Sequence, residues 1–403
     1  MLKKEDNLDA ELNRLLIKQF FSAYNTKQEY YWLEEEFEFI IKFCLENNKL
    51  PMLHYALSLA LKYYPENADF HYSAGKYFLA TNNCHKALNH FKKFLFDDPQ
   101  NDFVVFEMCF CWENMCKTYD AIDVLTDYLK NFNPNSAAAW FALGSSYVNA
   151  NENINAIDAF EYSLALNPES MATYFNLGNL YCLEGNYEKA LLIYSEALKL
   201  DDSDAAIYSY LGECYFYLED HENAIKYENK ALELDNTCEY AYYFLARTYF
   251  KFEQFQLAED YVNKAIDCND QISEFYSLRA YVNQSLNNNS LAEEDYIKAI
   301  NYDKYLFECY LDISIFYMQE NKIELAIDML ERILEDMNEP DKTQTKYLLC
   351  ACHFMTGNKQ EAYRIFNTLD IIDAKLSELL NGQFDAFVYD PVIIDLIKDK
   401  SKP

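Results

Sequence analysis

Alanine returns at a fixed interval along most of this chain. Ala87, Ala121, Ala156, Ala190, Ala224, Ala258, Ala292, Ala326 and Ala362 are 34 residues apart, with one residue added before Ala156 and two before Ala362. A single globular core imposes no such rule; a stack of small, similar repeats does. The pattern is clearest at 137–170. Trp140, Leu143, Gly144 and Tyr147 fall at i, i+3, i+4 and i+7, one face of a helix. Ala156, Phe160 and Ser163 form the facing stripe of a second helix. Gly144 and Ala156 let the two approach closely, and Trp140, Tyr147 and Phe160 fill the space around them. Helices this short cannot bury an apolar face alone, so the pair requires copies of itself.

Copies are present. Repeats start at 34, 68, 102, 137, 171, 205, 239, 273, 307 and 343 (each is named below by its first residue), and the alanine is the twentieth place, held by Leu53 in repeat 34. Gly75, Gly144, Gly178 and Gly212 share the eighth place, while Gly185 and Gly357 share the turn between the helices. Pro65, Pro99, Pro134, Pro168 and Pro340 each stand three residues before a repeat start, where they close one helix and set the turn into the next. The two longer spacings predict small loop insertions near 130 and 335.

The aromatic–Leu–Gly–Tyr set of the first helix, the Ala–aromatic–Ala set of the second and the closing proline resemble the tetratricopeptide repeat (TPR) family. The resemblance covers roughly 34–369 and is strongest over 137–272. It implies an all-α fold: a right-handed α-α superhelix, or TPR solenoid, of ten helix-turn-helix repeats over 34–369, with capping helices at 1–33 and 370–403. It also implies a concave groove lined mainly by the first helices, and no particular function.

A chain of 403 residues would ordinarily split into globular domains. A solenoid escapes that limit because each repeat packs only on its neighbours. The net charge of −32 disfavours nucleic acid and anionic membrane surfaces as partners, and it permits a basic protein partner. An acidic outer face also keeps a long array soluble. The 12 cysteines are scattered: Cys109 and Cys350 take the eighth place, and Cys111, Cys214 and Cys352 the tenth, as small apolar core residues do. Glu5 and Asp6 follow the basic start at Lys3 and Lys4, and no apolar run comes after them. The expectation is therefore a reducing compartment, the cytoplasm. No stretch approaches the length of a membrane span.

Leu8, Leu12, Leu15, Leu16 and Phe20 give 7–22 the stripe of an amphipathic helix. Thr26-Lys27-Gln28-Glu29 has capping-box spacing and predicts a second helix through Tyr31, Trp32 and Phe37 to about Leu45. These helices cover the apolar end of repeat 34 or, alternatively, the leading helix is a dimerisation or partner helix. Repeats 34, 68 and 102 are degenerate, with Phe37, His71 and Val105 at the fourth place instead of Trp or Tyr. Pro51 suits the first turn of a second helix.

Repeat 273 breaks a local rule. Arg279 takes the seventh place, where most repeats have Leu or Ile, and Asp295 lies on the facing helix. A common subtype of the tetratricopeptide family carries this Arg and Asp together, which implies an ion pair within the repeat. An unpaired arginine there would be costly. Asn287-Asn288-Asn289 reads as the turn of this repeat. Beyond the last repeat, 371–381 reads as a helix ending at Gly382. Asp390-Pro391 then opens a final helix with Val392, Ile393, Leu396 and Ile397. Phe387, Asp390, Pro391 and Leu396 resemble the segment that closes many such arrays.

Catalysis is not expected. No glycine-rich phosphate loop follows a strand, and the histidines share no triad or metal spacing. Cys350-Ala351-Cys352-His353 places its side chains in different directions around a helix, which is poor ligand geometry. No metal or cofactor is called for.

Function is expected in the groove. Places 2, 5, 9 and 12 of the first helices form a stripe beside the core. In repeats 102 to 239 it contains Phe103, Phe106, Phe110, Phe141, Phe175, Asn179, Ser209, Glu213, Phe216, Tyr240, Tyr243, Arg247 and Phe250. The candidate ligand-contacting residues are Phe106, Phe141, Phe175, Asn176, Asn179, Glu213, Tyr243 and Arg247. Such a surface suits an extended peptide or a partner helix with apolar anchors. Asn179 could hold a peptide backbone and Arg247 an acidic group. The bland alternative is that these aromatics are the rim of the repeat core.

Tetratricopeptide co-chaperones hold acidic protein tails with a clamp of Lys and Asn, then Asn, then Lys and Arg on successive first helices. Asn176 and Asn179 are present, but Phe141, Phe175, Ala206, Tyr210, Tyr240 and Phe244 occupy the basic places. No chaperone-tail clamp is expected. The leading expectation is a non-catalytic scaffold for a protein or peptide ligand. The alternative is a structural protein that self-associates weakly through its terminal helices.

Overall fold

The computed structural model describes residues 2–28, 30–336, 342–368 and 392, and of residues 2–12 and 336 only the backbone. Every regular element among the described residues is an α-helix. The chain divides into two compact bodies, 1–200 and 201–403. First helices begin at Glu34, Ala68, Asp102, Ala137 and Met171 in the first body, and at Ala205, Glu239, Ser273, Phe307 and Thr343 in the second. Each is followed after a short turn by its second helix, so each body is a run of helical hairpins.

The hairpin turn has one conformational requirement. Its fifteenth-place residue is left-handed in every repeat: Asn48, Asn82, Asn151, Asn287 and Asn321 have φ between 51° and 62°, and Gly185 and Gly357 have 69° and 82°. Asparagine and glycine adopt this region at the least cost. Cys116, Glu219 and Glu253 adopt it too, without that advantage. In repeat 273 the turn is Leu286–Asn288, and Asn289 is already the first residue of the second helix. Pro51 occupies the first turn of its helix, as its missing N–H allows. Asn67, Asn101, Ser136, Ser170 and Asp204 cap the following first helices, each side chain accepting a backbone N–H.

In repeats 137 to 273 the fourth-place aromatic ties the loop before its repeat. Trp140 Nε1–H donates to the Pro134 carbonyl at 3.0 Å. The hydroxyls of Tyr174, Tyr208, Tyr242 and Tyr276 reach the carbonyls of Pro168, Asp202, Asn236 and Asp270, all at 3.2 Å. His71 does the same work, with Nε2 2.8 Å from the Pro65 carbonyl. It therefore preserves the repeat's hydrogen bond, which the reading of repeat 68 as degenerate overlooked.

That bond fixes the state of a histidine pair. His71 Nε2 must donate to a carbonyl, so in the neutral ring Nδ1 accepts, and it accepts from His90 Nδ1–H at 2.9 Å. Burial holds both rings below the usual histidine range. His90 is lowered to about 4, with His71, Lys93 and Lys86 adding to the effect. The unfolded chain therefore takes up protons first as pH falls below about 6.5, and the contribution is lost between there and about 4. Full-chain urea unfolding at pH 7.5 and 5.0 should show about 1 kcal/mol less acid loss in His90→Phe than in the parent, the figure being discounted because His90 is only partly buried. Equal losses would contradict this reading of the pair.

The core follows the periodicity. Leu53 and the nine repeat alanines are fully buried. Gly75, Gly144 and Gly178 each lie under the ring at the twenty-fourth place, which is Phe91, Phe160 and Tyr194. Cys109, Cys111, Cys214, Cys350 and Cys352 are buried core residues, and Cys350 Sγ donates to the Ala362 carbonyl at 2.9 Å. In repeat 273, Arg279 meets Asp295 in a two-pronged pair, Nε to Oδ2 at 2.9 Å and Nη2 to Oδ1 at 2.8 Å. It does not extend to solvent. The residue inserted near 130 lies in loop 132–136, whereas the insertion near 335 and Pro340 fall against residues outside the described ones.

The N-terminal segment corrects the sequence expectation. One helix runs Leu2–Thr26, Lys27 turns left-handed at φ 52°, and the next helix begins only at Glu34. Thr26 is not an N-cap: its hydroxyl donates to the Ser22 carbonyl at 2.8 Å, within the preceding helix. The capping carboxylate is that of Glu36, which accepts the Leu33 N–H at 2.7 Å. Tertiary packing overrides the local spacing, because Trp32 is buried against Phe20 and Tyr31 sits edge-on to Tyr63. The side chains of Leu8 and Leu12, and the expected cap at 370–403 apart from Val392, lie outside the described residues. No helix among the described residues is long and apolar enough to cross a membrane.

Candidate functional site

In the first body a cavity of about 290 Å³ opens between first helices. Its floor is made of alanines, Ala138 and Ala172 at the second place and Ala142 beside them. Phe106 and Phe141, both at the fifth place, wall it, and Ser163, Asn167 and Ser170 edge it. Small residues at one place and large ones at another leave a slot that neither helix can fill. Phe141 is braced by Phe160, centroid to centroid 5.4 Å. Phe103 and Phe110 of the same stripe are exposed at 76% and 52%. The slot is apolar, suited to an apolar side chain.

The remaining candidates of this body do not line the cavity. Phe175 and Asn176 are half-buried, and the Asn176 side-chain amide donates to the Ala172 carbonyl at 2.8 Å. Asn179 is exposed, but its carbonyl oxygen already accepts from the Tyr194 hydroxyl. One of the two groups it could offer a peptide backbone is thus engaged.

The second body holds a cavity of about 330 Å³ lined by Ala206, Ser209, Tyr210, Glu213, Cys238, Tyr240 and Phe244. Glu213 is here, as expected of a groove residue. Burial pushes its carboxyl up to about 7, against Arg247, whose charge favours the ionised form. Arg247 is itself caged. Its guanidinium lies 4.5 Å from the Phe216 ring centre, 5.2 Å from Tyr217 and 5.5 Å from Tyr243 and Phe244. Nη1 donates to the Tyr217 hydroxyl at 3.0 Å. Tyr243 packs onward against Phe275 at 5.2 Å. Glu213, Tyr243 and Arg247 are thus one cluster, while Phe216 of the stripe is buried and Ser209, also buried, lines the cavity.

One charged residue close to this site, though not among those that line it, was missed in the sequence. The twenty-fourth place holds Leu57, Phe91, Leu125, Phe160, Tyr194, Val262, Tyr296, Leu330 and Phe366 in nine repeats, and Glu228 in repeat 205. The charge at an otherwise apolar place was the available signal. Glu228 is 1% exposed and lies over Gly212, in the slot that a ring takes elsewhere. No hydrogen bond of good geometry reaches its carboxylate oxygens, although the Ser209 hydroxyl lies near enough to act on them. Burial drives its carboxyl well above the ordinary range, Glu213 adds to the effect, and the nearby Ser209 hydroxyl opposes it. An unsatisfied buried polar group of this kind costs about 1–3 kcal/mol.

Comparison with known proteins agrees with the geometry. Tetratricopeptide repeat models match residues 118–170, 169–237 and 203–271. No curated protein matches the sequence. Among solved structures, a chain of the APC/C hetero-tetramer Cut9–Hcn1 is 17% identical, with 75% of this chain and 59% of that one covered and a TM-score of 0.50. Yeast Tom70 is 15% identical over 91% of this chain and 99% of its own, with a TM-score of 0.46. A MamA protein is 26% identical over 42% and 92%, with a TM-score of 0.38. Residues 118–271 are therefore tetratricopeptide repeats, and the other repeats of the array fall in phase with them.

Proposed function

We propose that this protein is a non-catalytic, cytoplasmic interaction scaffold that holds a peptide segment along its first-helix faces. The repeat array of 34–369 serves as the binding platform, with 1–33 and 370–403 as its caps. The observation that carries the reading is the alanine-floored slot between Phe106 and Phe141, which is shaped for one apolar anchor of a ligand. The unfilled basic places of a chaperone-tail clamp support a ligand read by apolar contacts instead of by its terminal carboxylate. The net charge of −32 supports a partner that is neither nucleic acid nor an anionic membrane.

Ala138 and Ala172 are exposed, so leucine at either would fill the slot without entering the core. The full chain, probed on an immobilised library of nine-residue peptides, should retain sequences with large apolar anchors. Ala138→Leu/Ala172→Leu should lower that retention at least about tenfold, a loss of about 1.4 kcal/mol, with unchanged helicity. Retention equal in the parent and the filled variant would refute the slot as the binding site.

A further inference from the structure

The geometry points to a second binding surface: a cavity of the first body, about 330 Å³ in volume, that takes the ring of a tyrosine from a partner protein, beside a lysine or arginine of the same segment. It shares no lining residue with the slot between Phe106 and Phe141, so it goes beyond the groove reading. Leu95 lines it from helix Cys84–Asp97, and Val124 and Tyr128 line it from helix Thr118–Asn131. Val105 and Met108 floor it from first helix Asp102–Asn114. Val105 shows what the cavity is. It stands at the fourth place, where repeats 68 and 137 to 273 carry a ring hydrogen-bonded to the carbonyl six residues earlier. Six residues before Val105 is Pro99, which lines the cavity, and valine has no donor to offer it.

The second helix leaves the same space open. Elsewhere the fourth-place ring packs on a ring of its partner helix: Trp140 on Tyr162 at 4.7 Å, and Tyr208 on Tyr227 and Tyr242 on Tyr261 at 6.3 Å, centre to centre. In repeat 102 the place of Tyr162 holds Asp127, and the place of Tyr227 and Tyr261 holds Val124. Both line the cavity. A partner's tyrosine therefore fits where the repeat lacks its own ring, with its hydroxyl on the Pro99 carbonyl and its faces against apolar side chains. Phe132 completes the wall, 6.3 Å from the Tyr128 ring, and Gln100 Nε2 donates to its carbonyl at 3.3 Å. The charges set the neighbour of that tyrosine. Asp123 and Asp127, the charged residues of the lining, are exposed, as are Asp97 and Asp98 just before Pro99. Asn131 engages one oxygen of Asp127. Of the lysines on or capping the two flanking helices, Lys86 lies over Phe78, Lys92 and Lys117 lie over Trp112, Lys93 and Lys130 are exposed, and none lines the cavity. A basic neighbour on the partner adds an exposed pairing that serves docking and selectivity more than affinity.

The test follows the Met108 methyl signal by NMR in the full chain, because a ring seated in the cavity moves it upfield. The probe is the peptide acetyl-Lys-Tyr-Lys-amide. Its phenylalanine counterpart lacks only the hydroxyl, and its leucine counterpart lacks the ring. The expected result is a saturable upfield shift with the tyrosine peptide and none with the leucine peptide. The phenylalanine peptide should need about fivefold more for half-saturation, the loss of one hydrogen bond. Val105→Tyr and Val124→Tyr each restore a ring that other repeats carry at that place. Each should raise the half-saturation concentration of the tyrosine peptide at least about tenfold, with unchanged helicity. Val124 is half-buried, so its variant decides the point should Val105→Tyr not fold. Asp123→Asn/Asp127→Asn should raise half-saturation about threefold at low salt. No upfield shift with the tyrosine peptide, or an equal one with the leucine peptide, would overturn the proposal. So would equal half-saturation by the tyrosine and phenylalanine peptides, or an unchanged value in Val124→Tyr or in the double asparagine variant.

Discussion

Asp295→Ala should cost the second body about 3–5 kcal/mol, one of the two largest single-residue losses expected in this chain. The pair it breaks is well removed from water, with 20% of the Arg279 side chain exposed and 5% of that of Asp295. The surroundings are built around it. Asn263 accepts from Arg279 Nη1 at 2.8 Å, Asn283 donates to Asp295 Oδ2 at 3.1 Å, and the guanidinium lies 5.4 Å from the Tyr276 ring centre. Removing the carboxylate leaves a buried guanidinium with one amide partner, and leaves Asn283 without its acceptor. Arg279→Ala should cost somewhat less, because Asn283 still reaches Asp295. Arg279→Leu/Asp295→Leu should return to within about 1 kcal/mol of the parent, since replacing a buried pair by apolar residues is often neutral. Urea unfolding of the full chain, with hydrogen exchange over 273–302 to locate the change, checks all three. A double variant as damaged as Asp295→Ala would mean that the pair contributes net stability and not merely mutual satisfaction.

Arg279 was legible in the sequence because it broke a strong rule, its pairing with Asp295 followed from the family resemblance, and the fold was legible because the rule was strong. Alanine at the twentieth place of nine repeats, glycine at the eighth of four and proline before five of the starts follow from the packing and turns of paired helices, so the register could be counted. The hairpin turns were half visible. Gly185 and Gly357 announce a left-handed residue, while Cys116, Glu219 and Glu253 adopt it only because the helices on either side impose it. Thr26 misled for the opposite reason: the capping spacing is real, but the burial of Trp32 outweighs it.

The groove was less legible than the core. Periodicity assigns a residue to a stripe, but not to a depth within it. Phe103 and Phe216 lie on the same stripe, yet one is exposed and the other buried. Asn179 looked available, and the Tyr194 hydroxyl takes its oxygen. Glu228 is not legible from the groove stripe because it stands on the second helix, at a place that is apolar in the other nine repeats.

Phe160→Ala should cost about 3–5 kcal/mol, and the loss should depend on Gly144. Phe160 is fully buried, and a Cβ placed on Gly144 would lie 2.8 Å from its Cδ1 and Cε1 atoms. The eighth and twenty-fourth places are thus one packing unit split between two helices: the missing side chain on the first is the room for the ring on the second. Phe141 leans on the same ring at 5.4 Å, so the wall of the apolar slot is supported through it. Gly144→Ala alone overpacks a ring that cannot swing aside, and should cost about 1–3 kcal/mol. In Gly144→Ala/Phe160→Ala the added methyl enters the cavity left by the ring and no longer meets it. The double variant should then be more stable than the sum of the single losses predicts, by about 1 kcal/mol or more. Urea unfolding of the four proteins measures that coupling. Losses that add within about 0.5 kcal/mol would mean that the glycine is not there to admit the ring, and the packing rule read from Gly75, Gly144 and Gly178 would lose its physical basis.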